Sequence, residues 1–188
     1  MVGSIGQALT IRGDRLVLGA LVDSQAVGIY GAAATFAESI WLIPMGAGQL
    51  IFRYAAQGRW RLARRLQVIT LACMVGIGAI GALLARPAVA LLLGPGYSQA
   101  VPLIWMLIAA ALPMGAYHVT APMLNGAGDL KGPAIAGSGS AVLLFVLCFA
   151  TIPILGAAGA AIASFFAYSL MAGVVLWRRR RLPDRRPL

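Results

Sequence analysis

The stretch "IPILGAAGAAIASFFAY", residues 152–168, contains no charged residue and decides the class of fold. Apolar runs of this kind recur along the 188 residues, which are 61% hydrophobic and only 11% charged. Soluble domains carry about 25% charged residues, whereas a helix of about 20 apolar residues crosses a bilayer core about 30 Å thick. The sequence therefore predicts an all-α, polytopic membrane bundle of about six transmembrane helices.

The predicted spans cover residues 2–22, 26–54, 66–85, 100–124, 132–155 and 157–177. Together they form one transmembrane domain, 1–177, followed by a basic tail, 178–188. Tight turns are predicted at "DSQA" (23–26) and "GAAG" (156–159). The segment "PAVALLLGPGY" (87–97) is too short to span, so we expect it to extend the third helix at the outer interface. Because the N-terminus has no signal-peptide pattern, the first apolar segment is predicted to be structural.

The 15 basic residues are distributed unevenly between the two ends of these spans. Twelve lie at one end, in "RYAAQGRWRLARR" (53–65), at Lys131 and in the tail, and Arg86 alone lies at the other. This asymmetry predicts that both termini are cytoplasmic. Since the basic residues flank apolar spans, we expect the lipid bilayer, and no nucleic acid, as their partner.

Small residues recur every four positions near the last predicted turn, at Gly156, Ala160 and Ser164. Such spacing lets helix backbones approach closely. Packing within the bundle is the favoured interpretation, and a dimerisation face is the alternative. Cys73 and Cys148 lie in apolar segments without metal-ligand spacing, so we expect neither a disulfide nor a metal site.

The first span is the unusual one, because it contains three charges. On a helical wheel Gln7, Thr10, Asp14 and Arg15 fall in one polar arc, Arg12 lies at the edge of that arc, and Leu9 and Leu16 lie opposite. A charge inside a membrane costs at least about 2.5 kcal/mol and needs a partner or water. We therefore expect this arc to line a hydrated substrate cavity. A structural ion pair between two helices is the alternative.

Glu38 is the other acidic residue inside a predicted span. Its position near the middle of the second span allows it to share the cavity with Asp14. A carboxylate at this depth can carry H+ or Na+ in a coupled transporter. Neutralisation of Glu38 by an arginine of the first span is an equally weighted alternative. Further along the same span, "IPMGAG" (43–48) predicts a kink at Pro44.

Tyr117 and His118, in "PMGAYHVTAP" (113–122), are weaker candidates for the site, because a lone histidine is more often a packing residue. The sequence contains no phosphate-binding loop, no nucleophile–histidine–acid set and no cluster of metal ligands. We therefore expect the protein not to be an enzyme and to bind no metal or organic cofactor.

Several segments resemble the Wzx-like polysaccharide and oligosaccharide-lipid flippases of the multidrug/oligosaccharidyl-lipid/polysaccharide superfamily. The longest is "RGDRLVLGALVDSQAVGIYGAAATFAESIWLIPMGAGQLIFR" (12–53). The segments "LLLGPGYSQAVPLIWML" (91–107), "LNGAGDLKGPA" (124–134) and "IPILGAAGAAIASFFAY" (152–168) follow in the family's order. The chain resembles the C-terminal six-helix half of such a transporter, which is one half of a MATE-like fold.

The resemblance implies flipping of undecaprenyl-pyrophosphate-linked oligosaccharide across the bacterial inner membrane, in the biosynthesis of polysaccharides such as lipopolysaccharide O-antigen or exopolysaccharide. It also implies a partner, either the missing N-terminal half or another membrane chain. Arg12 and Arg15 would then contact the pyrophosphate, since arginine suits bidentate phosphate binding. A multidrug/cation antiporter or a lipid II flippase of the same superfamily is the alternative, as is a non-transporting membrane scaffold.

Overall fold

The computed structural model describes residues 2–181 as a bundle of seven α-helices with no β-strand in that range. The helices are α1 (Val2–Leu21), α2 (Ser24–Glu38), α3 (Leu42–Ala56), α4 (Trp60–Leu92), α5 (Ala100–Gly126), α6 (Lys131–Leu155) and α7 (Ala157–Arg180). Short 3-10 turns lie at Ser39–Trp41 and Pro95–Tyr97. The prediction of an all-α bundle is confirmed.

Five continuous segments are long and apolar enough to cross a membrane: Ser24–Ala56, which joins α2 and α3, and the whole of α4, α5, α6 and α7. With 20 residues α1 has the length to span as well, but Arg12, Asp14 and Arg15 lie near its middle. The helix bounds agree with the predicted spans to within three residues, except at α4. Large apolar side chains such as Leu83, Leu91 and Ile154 are about four-fifths exposed, as expected on a lipid-facing surface.

α4 is longer than predicted at both ends. It begins at Trp60, inside the segment expected to be a loop, and continues through Pro87 to Leu92. Only residues 57–59 connect α3 to α4, so most arginines of that segment lie on helix ends. The continuation through Pro87 agrees with the expectation that residues 87–97 extend this helix, although the helix ends at Leu92. A membrane helix can tolerate a proline when its freed backbone carbonyl finds another partner.

Ser39–Trp41 interrupts the long second span just before Pro44. The missing N–H of Pro44 removes the bond to the carbonyl of residue 40, and Pro44 is tolerated in the first turn of α3. The kink predicted from "IPMGAG" is thus a 3-10 turn that precedes the proline. This turn brings Trp41 into the core, where its side chain is buried.

α5 and α7 form the centre of the bundle, and α4 and α6 are more exposed. α7 packs against α5 and α6, α1 packs against α6, and α3 packs against α5 and α4. Ala160, Ala163, Ser164 and Ala167 on α7 are all buried within this one chain. Their burial favours packing inside the bundle over a dimerisation face.

Glycines permit close approaches between helices at several points, two of them between α3 and α5. A Cβ atom at Gly48 on α3 would lie 2.8 Å from the carbonyl oxygen of His118, and one at Gly126 on α5 would lie 2.6 Å from that of Phe52. At the α6–α7 connection, Gly156 alone forms the turn, with a φ of 57° that favours glycine. The turn predicted over 156–159 is therefore shorter, because α7 already begins at Ala157.

Candidate functional site

Asp14 lies at the centre of the polar contacts of α1. Its side chain is 3% exposed. The hydroxyl of Tyr30 on α2 donates to Oδ2, the hydroxyl of Ser164 on α7 donates to the same oxygen at 3.0 Å, and the backbone N–H of Arg15 donates to Oδ1 at 2.8 Å. Asp14 therefore joins three helices, and its carboxylate has three donors, as a buried carboxylate requires.

Arg15 and Glu38 form an ion pair between α1 and α2. The two helices are antiparallel, and side chains lean toward the N-terminus of their own helix, so these two lean toward each other. Their side chains are 20% and 23% exposed, which puts the pair at the edge of the core. Neutralisation of Glu38 by an arginine of the first span was one of two predicted alternatives, and the geometry favours it.

Arg12 departs from the predicted arrangement. It is exposed on the same face of α1 as Ala8, Leu9 and Leu16, whereas the arc around Asp14 is buried against other helices. The polar arc thus packs against protein, and Arg12 lies on the face predicted to be apolar. Within residues 2–181, no carboxylate pairs with Arg12.

Thr10 and Gln7 lie in the N-terminal half of α1. The buried hydroxyl of Thr10 donates to the carbonyl oxygen of Gly6 at 2.8 Å and lies 3.1 Å from the hydroxyl of Ser140 on α6. Gln7 is half-buried. Thr10 is therefore a packing contact between α1 and α6.

The weaker candidates belong to an aromatic cluster beside the ion pair. The Trp41 ring lies 6.0 Å from the His118 ring and 5.8 Å from the Tyr168 ring, edge-on to the latter, and Tyr117 lies 5.9 Å from His118. Trp41 follows Glu38 by three residues, so this cluster begins one turn along the chain from the ion pair. We define the polar core as Asp14, Arg15, Tyr30, Glu38, Trp41, His118, Ser164 and Tyr168.

Three buried polar atoms of this polar core lack a hydrogen-bond partner among the described residues. They are Nε of Arg15, Nε1 of Trp41 and Nε2 of His118. Buried donors without partners are costly, so such atoms indicate places where water or a polar ligand binds.

Sequence reasoning missed Tyr30, Ser164 and Tyr168. Nothing in their local sequence separates them from packing residues, because their role depends on contact with Asp14 or Trp41 across helices. Trp41 did carry a signal, since it lies one helical turn from Glu38.

We call the end of the bundle that carries most of the basic residues the basic end. A second ion pair lies there, between Oδ1 of Asp129 at the α5–α6 turn and Nη1 of Arg178 on α7, 3.5 Å apart. Oδ1 of Asp129 also accepts the N–H of Gly132 at 3.0 Å. The predicted tail is helical as far as Arg180, and its remainder beyond Arg181 lies outside the described residues. Residues 2–181 contain no group of three or more histidine, cysteine or acidic side chains placed to hold a metal ion.

Comparisons of the chain with protein-family models, with curated proteins and with solved structures gave no match.

Proposed function

We propose that this chain is one half of a membrane transporter that flips an anionic, lipid-linked oligosaccharide, with Arg12 on the wall of the substrate path. The observation that carries the proposal is the exposure of Arg12 at mid-helix without a carboxylate partner in the described chain. Arg12 is nine residues from the outer end of α1, or about 14 Å along its axis. A cation at that depth is too costly to face lipid.

A second half supplies the missing wall. Intramembrane charges face a bundle interior or a water-filled cavity. If another six-helix unit covers the face of α1 that carries Ala8 and Arg12, that face becomes the wall of a central path, and the partly exposed pair of Arg15 and Glu38 lies at its border. The partner is the N-terminal half of the same transporter or a separate membrane chain.

The charge of the path supports an anionic substrate. α1 and α2 contain Arg12 and Arg15 against Asp14 and Glu38, but Glu38 pairs with Arg15 and Asp14 is enclosed by hydroxyls. Arg12 is left as the accessible charge, and a guanidinium binds a phosphate in a bidentate manner. The resemblance supplies the substrate class, undecaprenyl-pyrophosphate-linked oligosaccharide, and with it the bacterial inner membrane.

Two other functions are less well supported by the geometry. A cation antiporter of the same superfamily would use Glu38 as the exchanging carboxylate with H+ or Na+, and its pairing with Arg15 disfavours this. A non-transporting scaffold would need no accessible charge at mid-membrane, so the exposure of Arg12 disfavours that role.

The test purifies the chain from its native membrane together with the second half that stays bound to it. The complex is reconstituted in proteoliposomes that contain a fluorescent undecaprenyl-pyrophosphate oligosaccharide, and an impermeant reductant quenches the fluorophore in the outer leaflet. We expect faster loss of the protected fraction than in empty vesicles. Arg12→Gln should slow this loss about tenfold, equivalent to about 1.4 kcal/mol, while Arg53→Gln, an exposed arginine at the end of α3, should not. Equal rates for empty vesicles and for vesicles that hold the complex would overturn the proposal, and equal effects of the two variants would remove Arg12 from the path.

A further inference from the structure

A cavity of about 490 Å³ lies at the end of the bundle opposite the basic end. Arg86, Trp105 and Ser98 form its polar side, and Val89, Val101 and Pro102 form its apolar side. It is therefore amphipathic, with walls from α4, α5 and the segment that connects them.

Two contacts of Trp105 hold the polar side of this cavity in place. Its Nε1–H on α5 donates to the carbonyl oxygen of Ala82 on α4 at 2.9 Å, which fixes the indole against the neighbouring helix. The guanidinium carbon of Arg86, one turn beyond Ala82, lies 5.4 Å from the centre of the Trp105 ring. The indole thus holds the arginine over the cavity by a cation–π contact.

Arg86 also breaks the charge pattern of the chain, because the other basic residues outside α1 lie at the opposite end of the spans. No carboxylate among residues 2–181 pairs with it. The arginines that begin α4 mark one interface of the bilayer, and Arg86 is 21 residues beyond the last of them, Arg65, or about 32 Å along the helix axis. That distance exceeds a bilayer core of about 30 Å, so Arg86 lies at the level of the headgroups.

We propose that this cavity binds an anionic phospholipid of the leaflet next to it. Arg86 and the hydroxyl of Ser98 contact the phosphate, and the glycerol and upper acyl chains lie along Val89, Val101 and Pro102. A lipid phosphate is the anion that a bilayer supplies at this depth, and guanidinium binds phosphate strongly. The proposal does not depend on the transport function proposed above.

The experiment uses the full chain without its native cysteines, with Gln99→Cys at the exposed rim of the cavity labelled by an environment-sensitive fluorophore. Mixed micelles of phosphatidylglycerol or phosphatidylcholine are the probes. We expect a saturable signal with phosphatidylglycerol and a much weaker response with phosphatidylcholine. Arg86→Gln should raise the half-saturating concentration about tenfold, as expected for loss of a charged hydrogen bond.

Two further variants separate a cavity from a charged surface. Ala90→Phe fills the cavity without a change of charge and should weaken binding as Arg86→Gln does, because Ala90 lines it. Arg61→Gln, an exposed arginine at the opposite end of α4, should have no effect. Unchanged binding by Ala90→Phe, or an equal loss by Arg61→Gln, would overturn the proposal. Complete competition by soluble glycerol phosphate would also overturn it, since the ligand would then be a free phosphate. Thermal unfolding should be the same for all variants, because the three changed side chains are exposed.

Discussion

The hydroxyl of Ser164 on α7 donates a hydrogen bond to Oδ2 of Asp14 on α1 at 3.0 Å, across 150 residues of sequence. Tyr30 on α2 donates to the same oxygen. The first and last helices of the described bundle are thus joined through one carboxylate that is almost completely buried. This contact buries Asp14 inside the bundle with hydroxyl groups as its partners, whereas the sequence left open a cavity wall and a structural ion pair.

Removal of the Asp14 carboxylate should destabilise the bundle, because two buried hydroxyls lose their acceptor. We expect Asp14→Ala to lower the thermal midpoint more than Ser164→Ala or Tyr30→Phe does. In a double-mutant cycle, Asp14→Ala and Ser164→Ala should couple by about 1 kcal/mol, as polar contacts between membrane helices do. Unfolding of the purified chain in mixed micelles measures this, and additive effects would contradict the contact.

The ion pair of Arg15 and Glu38 should respond to charge exchange. Either Arg15→Glu or Glu38→Arg alone places two like charges together inside the membrane, so both should lower the amount of folded protein. The double exchange, Arg15→Glu with Glu38→Arg, should restore most of it. Membrane-extracted yield and thermal midpoint report the outcome. Failure of the double variant to recover would show that each residue depends on other partners.

Two glycines of α3 provide a matched pair for the packing of α3 against α5. A Cβ at Gly48 would lie 2.8 Å from the carbonyl oxygen of His118, and backbone cannot move aside as a side chain can. Gly48→Ala should therefore cost about 1–3 kcal/mol of unfolding free energy. A Cβ at Gly46 would meet nothing within 4 Å, so Gly46→Ala should be neutral or slightly stabilising. Similar losses in both variants would argue against close contact at Gly48.

Thiol labelling distinguishes a hydrated path from a lipid-facing surface. In a background without Cys73 and Cys148, Arg12→Cys and Ala8→Cys should react with a small polar thiol reagent if the transport proposal is right. Asp14→Cys should be protected by burial, and Val75→Cys, 55% exposed near the middle of α4, should be protected by lipid. Equal protection of the cysteines at positions 8, 12 and 75 would contradict a water-filled path beside Arg12.

The charge asymmetry predicts the orientation of the bundle. Reporter fusions after Gln57, in the α3–α4 connection, should be active on the cytoplasmic side, and fusions after Tyr97, in the α4–α5 connection, should be active on the outer side. A reporter fused after Leu188 should also be active on the cytoplasmic side. An external signal after Gln57 would reverse the orientation.

Much of the secondary structure follows from the sequence alone. Backbone groups in lipid must bond within their own helix, so apolar runs fold locally and their ends coincide with polar or glycine residues. This is why α5, α6 and α7 agree closely with the predicted spans. The bounds of α4 did not follow in the same way, since arginines and a proline at its ends are typical of loops yet are compatible with a helix that projects beyond the bilayer core.

By itself, the sequence determined the membrane-helical class, the spans to within a few residues and the uneven charge of the two ends, because all three depend on local composition and hydrogen bonding. Only the tertiary structure decided which charged groups are buried, paired or exposed. Asp14 and Arg12 are two residues apart, yet one faces Ser164 in the core and the other faces outward. A helical wheel gives the relative angles of side chains but not which arc meets a neighbour, since that depends on how α2, α6 and α7 pack around α1.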